Sequence, residues 1–382
     1  MSNAVYITRT SSFLPLAAVD NDAMESALGM TGAKPSRARK ITLRSNGIKT
    51  RHYALDPQTG DVRYTNAQLA AEAVRGLTDE TFGLNDIVCL ATGTSTPDQI
   101  MPNHGVMVHG ELGNAACEVI STAGVCAAGA AALKYAWLAV RSGEFANAVA
   151  TGSEAVSIIL KATRYAAETE QQANELEKRP ELAFEKDFLR WMLSDAAGAM
   201  LLQNRPNPTG LSLRIDWIDI TSYANEMPVC MYAGAEKNTD GTLTGWARFS
   251  HEELGRQSVL AIKQDVKLLN KNIVEYCLIK PLGKIAAKRG LSSAHIDWFV
   301  PHMSSEFFRQ PIADGLEKIG LPIPAERWFT NLATRGNSGA ASFFVMIDEL
   351  FHSGRLRSGQ HILGLVPESG RFSSAYIHLT VV

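Results

Sequence analysis

Hydrophobic positions along this chain fall into two rhythms. Short apolar runs closed by Gly, Thr or Pro read as strands over 3–9, 86–93, 116–121, 147–154 and 194–202. The same pattern returns over 211–220, 296–300, 361–366 and 374–381. Between these runs, apolar residues recur at helical spacing over 65–76, 105–112, 127–141, 251–269, 271–289, 306–319 and 337–352. Ser250 is placed to cap the helix at 251–269, and Pro281 predicts a kink within 271–289. Strands alternating with helices predict an α/β layered fold. Pro206, Pro208 and Gly210 crowd the segment 204–210 and predict a boundary between a lobe at 1–206 and a lobe at 207–382. Each lobe carries a small-residue helix start behind a strand. Residues 161–190 are rich in Glu, Lys, Arg, Gln and Ala, and predict an exposed helical insertion or lid.

Those two small-residue helix starts hold the candidate chemistry. In Ser121–Leu133, Gly124 permits a bend, a run of alanines favours the helix that follows, and Cys126 sits between them. A cysteine there feels the positive end of the helix dipole, which predicts a lowered pKa and a reactive thiolate. The bland alternative is a small core cysteine. Asn337 lies in the second turn, Gly336–Ser342, and His302 follows the strand at 296–300. A histidine and an Asn beside Gly are ordinarily a core residue and a turn residue. Together with Cys126 they form a working set for acyl transfer: a thiol to attack a thioester, an imidazole to hold a proton, and N–H donors for an oxyanion.

Composition narrows the function classes. The chain has 382 residues, 46% hydrophobic and 20% charged, with a formal net charge of −2. Nucleic acid is disfavoured as a partner, because neutralising phosphates needs a basic excess. No apolar run approaches the roughly 18–20 residues of a membrane span, and no signal peptide is visible at Met1–Leu14. The five cysteines are scattered, without a CxxC pair, which argues against disulfides or zinc and fits a reducing cytoplasm. Cys117 is the next candidate nucleophile after Cys126. Seven basic side chains lie between Lys34 and Arg51 with no acidic residue among them. That run reads as a solvated face, or as a landing patch for a phosphate or an acidic carrier protein.

Ordered motifs then give a resemblance. Leu43–Tyr53, Ala91–Pro97, Met101–Asn103, Val125-Cys126-Ala-Ala-Gly, Gly152-Ser-Glu154, Ser194–Ala199, Pro301-His302 and Gly336–Ser342 run in sequence over nearly the whole chain. This series is similar to the thiolase-superfamily condensing enzymes of the β-ketoacyl-acyl-carrier-protein synthase III type. The resemblance implies a thiolase-like α/β fold of two similar lobes in five αβαβα layers. It implies Cys126 as the acylated nucleophile, with His302 and Asn337 binding the second thioester's carbonyl and promoting its carbanion. It also implies a homodimer, pantetheine-linked substrates in a narrow tunnel, no metal or redox cofactor, and Arg44 as a contact for the pantetheine phosphate.

Departures from the family pattern carry further expectations. His302-Met-Ser-Ser replaces the usual His-Gln-Ala-Asn, which weakens the inference that a basic face there docks carrier protein; no tryptophan stands near Lys40–Leu43 to stack on coenzyme A, which favours acyl carrier protein over acyl-coenzyme A. Gly-Ser-Glu154 replaces Gly-Ser-Asp, so Glu154 is a candidate extra base or a structural strand-end residue. With the charged insertion, these features resemble the ketosynthase/cyclase subgroup that builds dialkylresorcinol and stilbene precursors from an acyl and a β-ketoacyl thioester. The competing expectations are a malonyl-dependent initiation synthase, an acyltransferase of the same fold acting without condensation, and a silent partner subunit. A papain-like hydrolase shares the Cys, His, Asn order but lacks its local cysteine signature here.

Overall fold

The computed structural model describes residues 4–30, 38–165 and 188–382. Helix α1 spans Ala38–Asn46, α2 Asn66–Arg75, α3 His104–Leu112 and α4 Ala128–Ser142. Strand β1 spans Tyr6–Phe13, β2 Cys89–Thr94, β3 Glu118–Ala123, β4 Asn147–Glu154 and β5 Ala196–Gln203. In the second half, β6 is Leu213–Ser222, β7 Trp298–Pro301, β8 His361–Glu368 and β9 Ser373–Val381. Its helices are α5 Val266–Val274, α6 Lys280–Arg289, α7 Arg309–Lys318 and α8 Ser342–His352. These nine strands join one sheet in the order β7-β8-β9-β6-β1-β5-β4-β2-β3, and the shorter strands among the described residues pair apart from it. The halves meet where β1 pairs with β6 at Tyr6↔Arg214 and Ile7↔Leu213.

Three apolar layers account for this arrangement. The innermost packs α4 and α8 between the strands of both halves, with Leu133, Trp137, Phe343 and Phe344 against Val5, Met200, Val300 and Ile377. On the outer side of the first half, Leu69, Val74 and Val108 from α2 and α3 cover β2, β4 and β5. On the outer side of the second, Leu269, Leu282 and Leu316 from α5, α6 and α7 cover Phe299, Leu363 and Tyr376. Counting outward from the central helices gives the five layers of the thiolase-like fold. Strands buried on both faces explain why β2 and β5 are nearly continuous in apolar and small residues.

A row of glycines sets how closely the central helices approach the sheet. Gly93, Gly152 and Gly198 are register neighbours on β2, β4 and β5. A Cβ on Gly93 would lie 2.3 Å from the Ala128 carbonyl oxygen, and one on Gly152 would lie 2.2 Å from that of Ala340. Both helix starts that carry the candidate chemistry therefore rest on bare backbone.

The expected helix at 251–269 is not continuous. Ser250 caps a helix as the sequence predicts, but it ends at Arg256. Ser258 turns the chain with φ +46°, and Lys263–Gln264 pair as a short strand with Met231–Tyr232. Asp265 then caps α5 by accepting from the Leu268 N–H at 2.9 Å. The apolar run Val259–Ile262 fits a helix face or an irregular connection equally well, and in the fold it is a turn that buries Val259, Ala261 and Ile262 and leaves Leu260 exposed.

The kink expected from Pro281 is a π-turn at Glu275–Ile279 between α5 and α6. Pro281 has no N–H to give the Cys277 carbonyl four residues earlier. The buried Tyr376 hydroxyl donates to that carbonyl instead, at 2.6 Å. Tyr376→Phe should cost about 1–3 kcal/mol, the penalty of an unpaired buried acceptor. Urea unfolding checks this, and an unchanged midpoint would show that the carbonyl has another donor.

Candidate active site

Cys126, Glu154, His302 and Asn337 line one cavity of about 860 Å³, open space at its mouth included. Their positions in sequence span both halves. The remaining walls are mostly apolar: Leu189 and Leu193 on one side, Ile273, Leu278 and Ile312 on another. Here the π-turn gains a role, because Val274, Cys277 and Leu278 all face the cavity from it or its edge. These lining residues come from segments far apart in sequence, and spacing alone did not reveal them.

Asn337 is held by its own turn. The Ser194 N–H donates to its carbonyl at 2.8 Å, and its N–H donates to the Met192 carbonyl at 2.9 Å. Its Oδ1 accepts from the Gly339 N–H at 3.0 Å, which leaves Nδ2 as the donor end of the amide. His302 follows β7, and its N–H donates to the Leu365 carbonyl of β8 at 2.8 Å. Burial lowers the His302 pKa to about 4, so the ring is neutral at physiological pH. Its imidazole makes no side-chain hydrogen bond to another described residue, which leaves both nitrogens for a bound molecule.

Cys126 departs from the expected activated thiolate. Burial pushes its pKa well above the usual thiol value, and the nearby Glu368 and Glu154 carboxylates push it further. The helix dipole does not prevail because a carboxylate already sits on the amides that flank Cys126, just ahead of α4. Glu368 Oε2 accepts from the Val125 N–H and the Ala127 N–H, both at 3.0 Å. Sequence reasoning missed Glu368. Its one signal was an acidic residue in Pro367-Glu-Ser-Gly370, directly behind an apolar strand. Cys277, and not Cys117, is the second thiol facing the cavity. Cys117 sits just ahead of β3 at the sheet edge.

Glu154 is wholly buried. Its Oε1 accepts from the Ser95 N–H at 3.2 Å and the Ala340 N–H at 3.0 Å. Its Oε2 accepts from the Ser95 hydroxyl at 2.7 Å and the Thr96 hydroxyl at 2.8 Å. The side chain thus brackets the turn after β2 to the Asn337 turn. Burial raises its pKa to about 7 against the pull of these donors. Because the folded value exceeds the unfolded one, this group's stabilising contribution is complete below pH 4.5 and is lost as pH rises through 7. The loss amounts to about 3 kcal/mol at 1.36 kcal/mol per pKa unit. Glu154→Gln can keep the bracket, since the two hydroxyls can turn to accept from its amide. Its melting temperature relative to wild type should therefore rise between pH 5 and pH 8.5. Parallel pH curves for the two proteins would refute the assignment.

The structure does not bring Arg44 into the cavity lining. It is exposed in the last turn of α1, a helix that packs beside the Ser305–Phe308 turn through the Ser305 hydroxyl and the Ser45 carbonyl, 3.2 Å apart. The basic run is not a single face. Arg51 is fully buried and donates to Asn21 Oδ1 at 2.8 Å. Arg39 pairs with Asp22 and lies over the Trp191 ring. Arg44 and Lys49 are exposed, and residues 34–37 lie outside the described residues. The expected insertion falls mostly on 166–187, also outside them.

Among the described residues, one grouping has metal-ligand character: Asp216, His361 and His378. It lies on β6, β8 and β9 and does not line the cavity. Asp216 is already engaged by Arg214 at 2.7 Å, Thr380 at 2.6 Å and His378 at 2.8 Å. It reads as a closed hydrogen-bond network. No helix among the described residues is long and apolar enough to cross a membrane.

Comparison with known proteins finds similar sequences and folds. Residues 286–371 match the family described as 3-oxoacyl-acyl-carrier-protein (ACP) synthase III C terminal. The β-ketoacyl-acyl-carrier-protein synthase III of Xanthomonas oryzae pv. oryzae (strain MAFF 311018) is 27% identical over 369 residues, covering 95% of each chain. Among solved structures, the tetronic acid condensing enzyme AbyA1 superposes with a TM-score of 0.75 at 19% identity, over 98% of this chain and 99% of that one. A Xanthomonas campestris OleA with bound lauric acid and lauroyl-CoA superposes at 0.74 and 18% identity, over 100% of both chains. By its fold the chain is thiolase-like, and along its length it is similar to condensing acyltransferases named β-ketoacyl synthase III.

Proposed function

We infer that the protein loads an acyl group on Cys126 and joins it to a β-ketoacyl thioester, with ring closure to a cyclohexanedione or resorcinol-type precursor. The observation that carries this reading is the convergence of a thiol, a neutral imidazole and an oriented carboxamide on one largely apolar cavity. In the first step the Cys126 sulfur attacks the acyl thioester carbonyl, and the carrier thiol leaves with the proton. In the second, the β-ketoacyl thioester loses a proton beside its carbonyl, the carbanion displaces the Cys126 thiolate, and that thiolate takes up the proton to restore the free thiol. His302 and the Asn337 Nδ2 hydrogens hold the carbonyl on which that carbanion's charge rests. Ring closure forms the second carbon–carbon bond by addition: a second carbon gives up a proton and adds across a double bond of the joined chains, whose π bond breaks and whose far atom takes the proton. Glu154 is the candidate base for it, because its pKa of about 7 suits proton transfer near neutrality.

The apolar walls favour long acyl chains, and a long acyl thioester is what the OleA structure holds. The reaction as written uses no metal or redox cofactor. Its substrates are thioesters of acyl carrier protein or coenzyme A, and exposed Arg44 is the proposed contact for the pantetheine phosphate. We place the protein in the cytoplasm as a homodimer. The six-residue edge strand β3, only partly buried, is the proposed meeting edge.

The second reading is a malonyl-dependent initiation synthase, favoured by the naming of the Xanthomonas relatives. A product assay decides between the two. Purified protein receives an acyl thioester with either a β-ketoacyl or a malonyl thioester, and products are read by mass spectrometry. A cyclised product from the β-ketoacyl pair supports ring formation. A linear β-ketoacyl product with carbon dioxide released from malonyl supports initiation. In the first case, a Glu154→Gln enzyme that cyclises at the wild-type rate would leave Glu154 as a structural bracket.

A further inference from the structure

Glu368 is the least expected group beside the nucleophile. It stands at the end of β8 between Pro367 and Ser369, which both line the cavity, while Glu368 itself does not. Strand alternation turns its side chain back toward the Cys126 turn. There one oxygen, Oε2, receives the N–H groups on either side of Cys126, each at 3.0 Å. Gly124 leaves room for it: a Cβ there would lie 3.3 Å from Oε2. The same strand also positions the histidine, because the His302 N–H donates to the Leu365 carbonyl at 2.8 Å. Leu365 and Glu368 are three residues apart on β8, so one strand fixes both sides of the reaction centre.

We propose that Glu368 is a positioning residue that clamps the nucleophile turn from the opposite lobe and, by its charge, keeps Cys126 a thiol in the free enzyme. The Val125 and Ala127 amides flank Cys126 at the entry to α4; their N–H dipoles carry partial positive charge and would otherwise favour the thiolate. A carboxylate bound to them cancels that effect and adds a negative charge of its own. The groups acting on the Cys126 thiol are Glu368 on β8, Glu154 on β4 and Cys277 on the π-turn, with Glu368 the strongest of the three. The neutral His302 and Asn337 share its cavity. The free enzyme thus holds its sulfur unreactive toward stray electrophiles, and proton removal is left to the loaded site.

The catalytic meaning of this rests on Cys126 being the nucleophile, but its test does not. Full-length protein is treated with iodoacetamide across pH 6–10, and labelling of the Cys126 peptide is followed by mass spectrometry. In Glu368→Gln the clamp oxygen remains and the charge is gone. The midpoint of labelling should fall by about one pH unit, so that Cys126 reacts roughly tenfold faster below it. Glu368→Asp keeps the charge on a shorter arm and should keep the wild-type midpoint, while amide hydrogen exchange at Val125 and Ala127 speeds up. An unshifted profile in Glu368→Gln would overturn the proposal. So would a shift of equal size in Glu368→Asp, because charge would then not be the cause.

Discussion

Cys126→Ala protein is expected to take up no acyl group and to form no product. Incubation with an acyl thioester should add the acyl mass to wild type in intact-protein spectra and add nothing to the variant. Turnover should fall at least about a thousandfold, since an attacking sulfur has no substitute among the remaining groups. The fold should persist. Cys126 is only partly buried and packs at the margin of the central core, so losing one sulfur leaves a small space beside an existing cavity. Retained acylation would move the nucleophile to Cys277, the other cavity thiol. Burial pushes the Cys277 thiol up strongly, and its Sγ donates to the Ser373 carbonyl at 3.2 Å. The double variant would then be silent where the single one was not.

His302→Ala is expected to separate the two halves of the reaction. Condensation should drop by about 10²–10⁴, the usual value of a positioned acid–base group, while acyl-Cys126 accumulates. The pH dependence follows from the ring's burial. With its pKa lowered to about 4, His302 stays neutral throughout the physiological range. Acid loss of condensation through this residue should therefore centre near pH 4, well below the ordinary histidine value of about 6.5. Pre-acylated enzyme mixed with the second thioester at a series of pH values isolates this step. A midpoint near 6.5, absent in His302→Ala, would mean that the ring is solvated and charged during turnover.

Much of this centre was legible in the sequence because its residues sit at chain features with strong local signatures. Gly124 with its alanine run, the strand ending at Pro301-His302 and the glycine turn around Asn337 each mark a place where a strand gives way to a turn or helix. Strand–helix alternation predicted the layers, since apolar periodicity is a local property. The break between Arg256 and Val266 was not legible, because an apolar run of four satisfies either periodicity until its neighbours are known.

The sequence alone determined the alternation of most strands and helices, the three polar groups set at their ends, and the thiolase-like fold they imply. Tertiary structure alone decided the chemical state of those groups. Glu368 lies 242 positions from Cys126 and reaches it only because β8 ends beside the start of α4, which turns an expected thiolate into a held thiol. Glu154 becomes a bracket when Ser95, Thr96 and Ala340 close around it, and burial lifts its pKa to near neutral against their pull. Arg51, read as part of a basic surface, is buried because packing against Trp191 and Asn21 outweighs its local composition. Protonation depends on burial and on charges a few ångströms away, and a linear order of residues does not contain those distances.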